Sequence, residues 1–459
     1  MKKYISLLFL ALVSCNILDQ ESPNDVGFNN VFKNEAGANS ALIGLYATLQ
    51  SRDYYGGYYP MLADLYSDVG NSGGFDNISL DEVATLAVTP SNIFMNNTWL
   101  ALYNTIATAN AIIHKVPGIT DADFTQEEKN HIIGQALAVR AIAHFDLLRM
   151  FGEHWNMASA NGIPVVTEIQ TVKDIVDRST VAETYTSIIN DLDDALDNIL
   201  EDDRSQSFIN PIAVLAFRAR VNLYKGDMAG AIADAEDVID EGTFYLMDEN
   251  SFTDIYTQRF SAESIFELTF DVQNRSAYNA ITYSRSDALR TEVLFFVEES
   301  LNDFFQNRPG DLRANLVNYD PNENSSDILP DGRSQKYRGE ATRDNPAYMI
   351  RMSEMYLILA EASGYTPEGV DAMNELRLVR GLFPFSSDEF DTDDDYLDAV
   401  LDERKAELNF EGHRMFDLAR TGRTNQVLGI EDFRAIFPIP SREITATKGA
   451  ITQNPGYGD

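Results

Sequence analysis

The sequence predicts a mainly α fold of tetratricopeptide-like helical repeats, decorated by variable loops and short strands. Three observations favour this fold class. Apolar residues recur at three- and four-residue spacing over several long segments. Two helix–turn–helix units carry small residues where their helices would touch. The segments between them lack a period and are rich in glycine, asparagine and aromatic residues. With 459 residues, of which 44% are hydrophobic, the chain can bury a large core.

The first helices are predicted over residues 35–52 and 96–116. In residues 35–52 the apolar side chains on one face are Ala38, Leu42, Leu45, Tyr46 and Leu49. Residues 96–116 begin with Asn and Thr as expected caps. Their buried side is expected to hold Trp99, Leu102, Tyr103, Ile106, Ala109 and Ile113. Two more helices are predicted over 127–151, which is rich in alanine, and over 181–200.

Two later units, residues 210–241 and 351–381, have the pattern of helix, small-residue turn, helix. In the first unit the small residues are Ala219, Gly226, Ala231 and Ala235. Small residues at these positions let the two helices of a tetratricopeptide repeat approach closely. The aromatic residue and the closing proline of such a repeat are missing, so the sequence predicts a stack of degenerate helical repeats.

Two regions interrupt the helical pattern, near residues 53–98 and 243–345. The first has weak periodicity, and the second mixes short apolar or alternating runs such as SIFELTF and EVLFFV with polar loops. We expect loops, short strands and insertions that rest on the helices.

The charge of the chain excludes some partners. Lys+Arg number 35 and Asp+Glu number 72, so the net charge is −37. Such a chain repels phosphate backbones and anionic lipid surfaces, so no nucleic-acid partner is predicted.

The N-terminal residues MKKYISLLFLALVSC predict a lipoprotein signal. Two lysines precede an apolar run that is too short to span a bilayer. LVSC matches a bacterial lipobox, which predicts a signal peptide over 1–14, cleavage before Cys15 and lipidation of Cys15. Residues 15–34 are then a polar tether, and 35–459 one domain. The alternative is an ordinary signal in which Cys15, the only cysteine, is accidental.

No catalytic, metal or cofactor motif is found in the sequence. The five histidines, which have no close metal spacing, are His114, His131, His144, His154 and His413. Glycine-rich phosphate loops and the GxSxG elbow are missing. The acidic run 391–403 fails as an EF-hand loop, because Tyr396 stands where glycine is required, so it predicts an acidic helix start. A glycosidase pair of carboxylates stays open in so acidic a chain, although no spacing indicates one.

The segment ERKAELNFEGHRMFDLAR, residues 403–420, is crowded with acids and bases. On a helix, Arg404 and Glu411 fall on the apolar stripe, where a buried charge must be paired. The three-residue spacing predicts that Glu407 pairs with Arg404, Arg414 with Glu411, and Asp417 with Arg414 and Arg420. Gly412 permits a kink or a close contact. The segment is therefore predicted to hold the fold together rather than to catalyse a reaction.

This segment resembles the signature of the SusD/RagB family of Bacteroidetes outer-membrane lipoproteins. Other segments that are similar to the family are WLALYNTIATAN (99–110), QALAVRAIAHFDLLRMFG (135–152), RMSEMYLILAEA (351–362), FPIPSREI (437–444) and TQNPGY (452–457). They cover both ends and the middle of the chain in the expected order.

The resemblance implies a SusD-like fold with about four tetratricopeptide-like helix pairs and variable loops. It also implies a lipid-anchored protein of the cell surface and outer membrane that partners a SusC-like TonB-dependent transporter. Such proteins capture a nutrient, usually an oligosaccharide or polysaccharide, and they have no catalytic residues and no cofactor.

A glycan site needs exposed aromatic rings for the C–H faces of sugars, with polar side chains around them. In the family the variable loops build the ligand face. The first candidate group is Asp53, Tyr54, Tyr55, Tyr58, Asp68, Phe75, Phe94 and Asn97. The second group is Tyr278, Tyr283, Tyr337 and Arg338. For each aromatic residue, local packing is the alternative.

Four functions are weighed. The first is glycan capture for a transporter, in which the acidic chain favours a neutral glycan. The second is capture of peptides, as in RagB-like proteins. The third is a helical scaffold for the transporter only, and the fourth is a hydrolase. Starch-binding members of the family use an arc of several tryptophans and tyrosines, whereas this chain has only two tryptophans, which argues against an identical arc and so against starch.

Overall fold

The computed structural model describes residues 31–72, 77–171, 173–278, 295–318, 333–337 and 344–458. Four of the residues predicted to act in anchoring or binding lie outside these ranges: Cys15, Phe75, Tyr283 and Arg338. The expected signal peptide and most of the expected tether lie outside them as well. Within the described ranges, every helix is too short or too polar to cross a membrane.

In chain order the α-helices are α1 (Glu35–Leu49), α2 (Tyr58–Leu65), α3 (Ile78–Ala84), α4 (Ile93–Lys115), α5 (Gln126–Phe151), α6 (Val181–Asn198), α7 (Pro211–Lys225), α8 (Met228–Glu241), α9 (Asp254–Thr257), α10 (Glu299–Gln306), α11 (Met352–Ser363), α12 (Pro367–Val379), α13 (Asp393–Leu408), α14 (Arg414–Arg420), α15 (Thr424–Leu428) and α16 (Ser441–Ala446). The strands are β1 (Gly70–Asn71), β2 (Ser264–Leu268), β3 (Phe296–Val297), β4 (Val317–Asn318), β5 (Arg333–Ser334) and β6 (Ala347–Arg351).

The long helices form one continuous stack. Helix α4 packs against α1 and α5, α5 against α6, α6 against α7, and α7 against α8. Helix α8 then contacts α11, which also packs against α12 and α13. The predicted mainly helical fold is confirmed.

The predicted small-residue contacts lie inside this stack. Only two residues separate α7 from α8, so the second helix returns along the first. Gly226 ends α7 with a φ of +82°, a conformation that suits glycine because it has no Cβ. Ala219, Ala231 and Ala235 are fully buried, so the two helices meet through small side chains as predicted.

The helix predicted over 96–116 begins earlier than expected. Its first residue is Ile93, because the Asn92 side chain caps the helix rather than the Asn and Thr that start the predicted segment. The Asn92 Oδ1 accepts hydrogen bonds from the backbone N–H of Phe94 at 3.0 Å and of Met95 at 3.3 Å. The earlier start places Phe94 and the residues after it on a regular helix face.

The region near 53–98 was expected to be loop and strand, and this expectation is wrong for two stretches. Helices α2 and α3 occupy part of it. The residues of α2 from Tyr59 to Leu65 are all buried, so this helix has no polar face and its sequence shows no amphipathic period.

The strands form three antiparallel pairs among the described residues, namely β1 with β3, β2 with β6, and β4 with β5. In the first pair Gly70 lies opposite Val297. Strand β2 is the predicted run SIFEL and is buried along its whole length. The β1–β3 pair therefore joins the two predicted variable regions.

The charged segment 403–420, which we call the brace, spans the end of α13, a turn and α14. Arg404 and Glu411 are buried, as predicted. Most of the predicted pairing within the segment is wrong, since only the Asp417–Arg420 pair forms, at 2.8 Å. Arg404 instead donates from Nε to the Asp417 carboxylate at 2.8 Å.

The carboxylates of the brace bind arginines from other parts of the chain. Glu407 accepts hydrogen bonds from Arg351 at 3.0 Å, from Arg380 at 2.9 and 3.0 Å, and from Arg313 at 3.4 Å. Burial opposes ionisation, yet Arg380 and Arg351 hold the pKa of Glu407 well below its usual value. The local pairs fail because these side chains point into the core, where other elements supply the cations.

Gly412 fastens the brace to α2. Its φ is +83°, and a Cβ at this position would lie 2.5 Å from the Pro60 Cα atom. Its backbone N–H donates to the Asp64 carboxylate at 2.7 Å. The close contact predicted at Gly412 is confirmed, and only glycine fits it.

Candidate functional site

A cluster of predicted ligand residues lies at the start of α4, beside the turn that joins α1 to α2. We call it the Tyr58 patch, and it consists of Arg52, Asp53, Tyr58, Phe94 and Asn97. The rings of Tyr58 and Phe94 meet edge to face, with 4.9 Å between centroids. The guanidinium of Arg52 lies over the Tyr58 ring, 4.9 Å from its centroid. Arg52 is exposed, whereas Asp53, Tyr58 and Asn97 are partly exposed.

The turn at residues 51–57 places two of these side chains. The Tyr58 N–H donates to the Arg52 carbonyl at 2.8 Å, which closes the turn and starts α2. Gly56 passes close to the backbone, and a Cβ there would lie 2.3 Å from the Gln50 carbonyl oxygen. The turn is therefore tight, and it presents Arg52 and Asp53 next to Tyr58.

Asp53 is the acid of the patch. Partial burial raises the pKa of its carboxyl above the usual value, while a hydrogen bond from Asn97 and the charge of Arg52 act in the opposite direction. The patch thus combines an aromatic ring, a planar cation, a carboxylate and an amide. These are the groups that bind the C–H face and the hydroxyls of a sugar.

Helix α4 also contributes the polar side chain of Asn96, next to Asn97. The Asn96 Oδ1 is buried and has no hydrogen-bond partner within the described residues. Its amide nitrogen donates to the Asn97 Oδ1 at 3.4 Å, so Asn96 supports the orientation of Asn97. Arg52 was not predicted from the sequence as a ligand contact. The only indication was its position directly before Asp53, and a long flexible side chain does not reveal from the sequence which residue it contacts.

Tyr54 and Tyr55 do not reach the surface. Both are buried in the core, and the Tyr54 hydroxyl donates to Asp146 at 2.6 Å. The two rings pack on one another and on Tyr59, with centroids 4.6 to 5.5 Å apart. Their rings offer no open face to a ligand in this structure. They pack in the core, which was the alternative to ligand contact for each aromatic residue.

Tyr278 and Tyr337 are buried as well. Their rings stack in parallel, with centroids 4.5 Å apart and planes 8° apart. The Tyr278 hydroxyl donates to the Tyr55 carbonyl at 2.7 Å, and the Tyr337 hydroxyl donates to the Phe410 carbonyl at 2.7 Å. This pair ties the second predicted region to the first at the turn beside the Tyr58 patch.

Asp68 binds the brace and is not part of the Tyr58 patch. Its carboxylate accepts hydrogen bonds from Lys405 at 2.7 Å and from Arg414 at 2.7 and 3.1 Å. Burial alone would raise the pKa of Asp68, but the two cations lower it to about 2. We find no group of three His, Cys, Asp or Glu side chains suited to a metal in the described part of the chain.

Comparison with sequence families gives two matches. A sequence model of SusD-like proteins, described as "Starch-binding associating with outer membrane", matches residues 16–223. A second model, the SusD family, matches residues 243–435. Together they include the Tyr58 patch and the brace.

Whole-chain relatives agree with this result. SusD-like protein P2 of Formosa agariphila is 26% identical, and the alignment covers 100% of each chain. A SusD-like protein of Bacteroides ovatus is 24% identical over 61% of this chain and 57% of that protein.

Solved structures show the same fold. A SusD superfamily protein from Bacteroides thetaiotaomicron is similar with a TM-score of 0.79 and 26% identity, over 91% of this chain and 99% of the other. A laminarin-binding SusD-like protein is similar with a TM-score of 0.77 and 23% identity, over 93% and 100% of the two chains. On these matches, the chain belongs to the SusD/RagB family.

Proposed function

We propose that this protein is a glycan-binding lipoprotein of the cell surface, which captures an oligosaccharide or polysaccharide and delivers it to a SusC-like transporter. Membership of the SusD family supports a binding function, and the similar laminarin-binding SusD-like protein supports a glycan as the ligand. The single observation that carries the proposal is the Tyr58 patch. It unites four residues that were predicted from the sequence as ligand contacts.

In this proposal the Tyr58 ring is the stacking surface. Phe94 is buried and packs edge to face against this ring, while the Arg52 guanidinium lies over a face of it. A sugar ring would displace the guanidinium from this face, and Arg52 would then donate hydrogen bonds to sugar hydroxyls. Asp53 and Asn97 would bind hydroxyls at the rim.

The charges of the patch favour a neutral glycan. One cation, Arg52, lies beside one carboxylate, Asp53, so the patch has little net charge of its own. The whole chain carries −37, which opposes a sulfated or uronic ligand.

We further propose that residues 1–14 are a signal peptide, that Cys15 carries the lipid and that 35–459 form one domain. The lipobox LVSC and the family description "associating with outer membrane" support the anchoring. The main hydrophobic core includes residues from Ala38 to Ile451, which supports one domain. No catalytic role is proposed.

Calorimetry with neutral and acidic oligosaccharides and with peptides tests the ligand class. We expect a neutral glycan to bind, and Tyr58→Ala to weaken that binding about tenfold through loss of one stacking contact. Tyr245→Ala is the matched control, because Tyr245 is an exposed tyrosine in a different part of the fold. Binding of peptides alone would favour the RagB-like alternative, and release of reducing ends by pure protein would favour a hydrolase.

A further inference from the structure

A groove lies beside the Tyr58 patch, between α4, the segments 164–170 and 174–176, and the C-terminal residues 443–451. We call it the α4 groove. It encloses about 170 Å³, and its lining includes Trp99, Tyr103, Pro164, Asp174, Ile175 and Glu443. None of these residues was predicted to contact a ligand. Trp99 and Tyr103 were instead expected on the buried side of their helix.

The lining has two kinds of surface. Tyr103, Pro164 and Ile175 form an apolar wall, and the Tyr103 hydroxyl donates to the Pro164 carbonyl at 2.8 Å, which fixes the ring. Ile175 is 52% exposed although it is a large aliphatic residue. An apolar wall with an aromatic ring is suited to the C–H face of a sugar.

Polar groups stand at the edge of this wall. Gln170, Asp174 and Glu443 line the groove, and no lysine or arginine lines it in the part of the chain that is described. Carboxylates accept hydrogen bonds from sugar hydroxyls.

The groove continues the Tyr58 patch along α4. Asn97 belongs to the patch, and Leu100, which is 37% exposed, lines the groove. Residues three apart on a helix are neighbours on its surface, and they are separated by about 4.5 Å along the axis. A ligand that lies along this face of α4 would therefore reach from Asn97 to Leu100.

We propose that the α4 groove is a second subsite, which binds a further residue of the same neutral glycan chain held at the Tyr58 patch. This inference rests on the proposed function. It adds that the glycan must be long enough to reach both subsites before it binds with full affinity. An apolar side chain of a protein partner would pack on the wall, but it would donate no hydrogen bond to the carboxylates at the rim.

Size-graded oligomers of laminarin, xylan, mannan and starch test the inference by calorimetry. We expect the affinity of the wild-type protein for its glycan to rise with oligomer length. The double variant Leu100→Ser/Ile175→Ser should lose about tenfold in affinity for long oligomers and keep its affinity for the shortest ones that bind. Ile43→Ser is the control, because Ile43 is an exposed isoleucine on α1 that does not line the groove.

A spectroscopic readout avoids any effect of the double variant on folding. The chain has two tryptophans, so Trp155→Phe leaves Trp99 as the only one. We expect long oligomers, and not the shortest ones that bind, to change the fluorescence emission of Trp99 in this variant.

The outcomes separate the two proposals. If no oligomer binds to the wild-type protein, the proposed function fails, and the subsite fails with it. If oligomers bind with the same dependence on length in the double variant, or leave the Trp99 emission unchanged at the longest length, only the subsite is overturned.

Discussion

The brace and the Tyr58 patch are built from the same types of residue, and they differ in burial and in partners. In the brace, Glu407 is fully buried and shared by three arginines, each of which is also buried. In the patch, Asp53 is only half-buried, and its neighbours are one amide and one exposed arginine. A high density of charge in a sequence therefore indicates structure where the charges find buried partners, and indicates binding where they stay near solvent.

The largest effect is expected from Glu407→Gln. The neutral amide leaves three buried guanidinium groups without their shared counter-charge, so we expect a loss of about 3–5 kcal/mol in the free energy of unfolding. Urea unfolding at pH 7 measures this, with Glu236→Gln as control because Glu236 is exposed on α8. Equal stability of the two variants would mean that the brace does not stabilise the fold.

Arg404→Ala is expected to lower the free energy of unfolding somewhat less, by about 3 kcal/mol. Asp417 then loses one cation but keeps its 2.8 Å bond to Arg420, so a buried carboxylate is left only partly compensated. Urea unfolding at pH 7 measures this loss as well. A variant that folds with wild-type stability and loses only ligand binding would assign Arg404 to a site rather than to the brace.

The helical part of the fold was predictable because its signals are local. All five residues predicted on the inner face of α1 are buried, since a period of 3.6 residues already defines that face. The partners of Glu407 were not predictable. Arg380, Arg351 and Arg313 lie 27, 56 and 94 residues away, and spacing within one helix gives no information about them.

The candidate site was predicted in part, for a related reason. Tyr54, Tyr55 and Tyr58 are close in sequence, but the turn directs the first two inward to the core and leaves the third at the surface. A turn has no repeating period, so its inner and outer side chains cannot be separated from the sequence. The pairing of Phe94 with Tyr58 also depends on where α4 begins, which was predicted three residues too late.

The smallest effect on stability, and the clearest effect on binding, is expected from Asp53→Asn. Because the pKa of Asp53 is raised in the folded state, its contribution to stability is present at low pH and is lost as pH rises through that pKa. At pH 7 the neutral amide should therefore change the free energy of unfolding by no more than about 0.5 kcal/mol. Glycan affinity, in contrast, should fall, since the carboxylate is the stronger hydrogen-bond acceptor.

The pH dependence of glycan binding tests whether the Asp53 carboxylate contacts the ligand. In the wild-type protein, glycan affinity should decrease as pH falls through the raised pKa of Asp53, because the protonated carboxyl is a weaker acceptor than the carboxylate. The Asp53→Asn variant should show a flat profile over the same range, measured by calorimetry at several pH values. Asp81→Asn, an acid on α3 outside the patch, should keep the wild-type profile. Identical profiles for the wild-type protein and the Asp53→Asn variant would place Asp53 outside the ligand contacts and reduce the patch to its aromatic, guanidinium and amide groups.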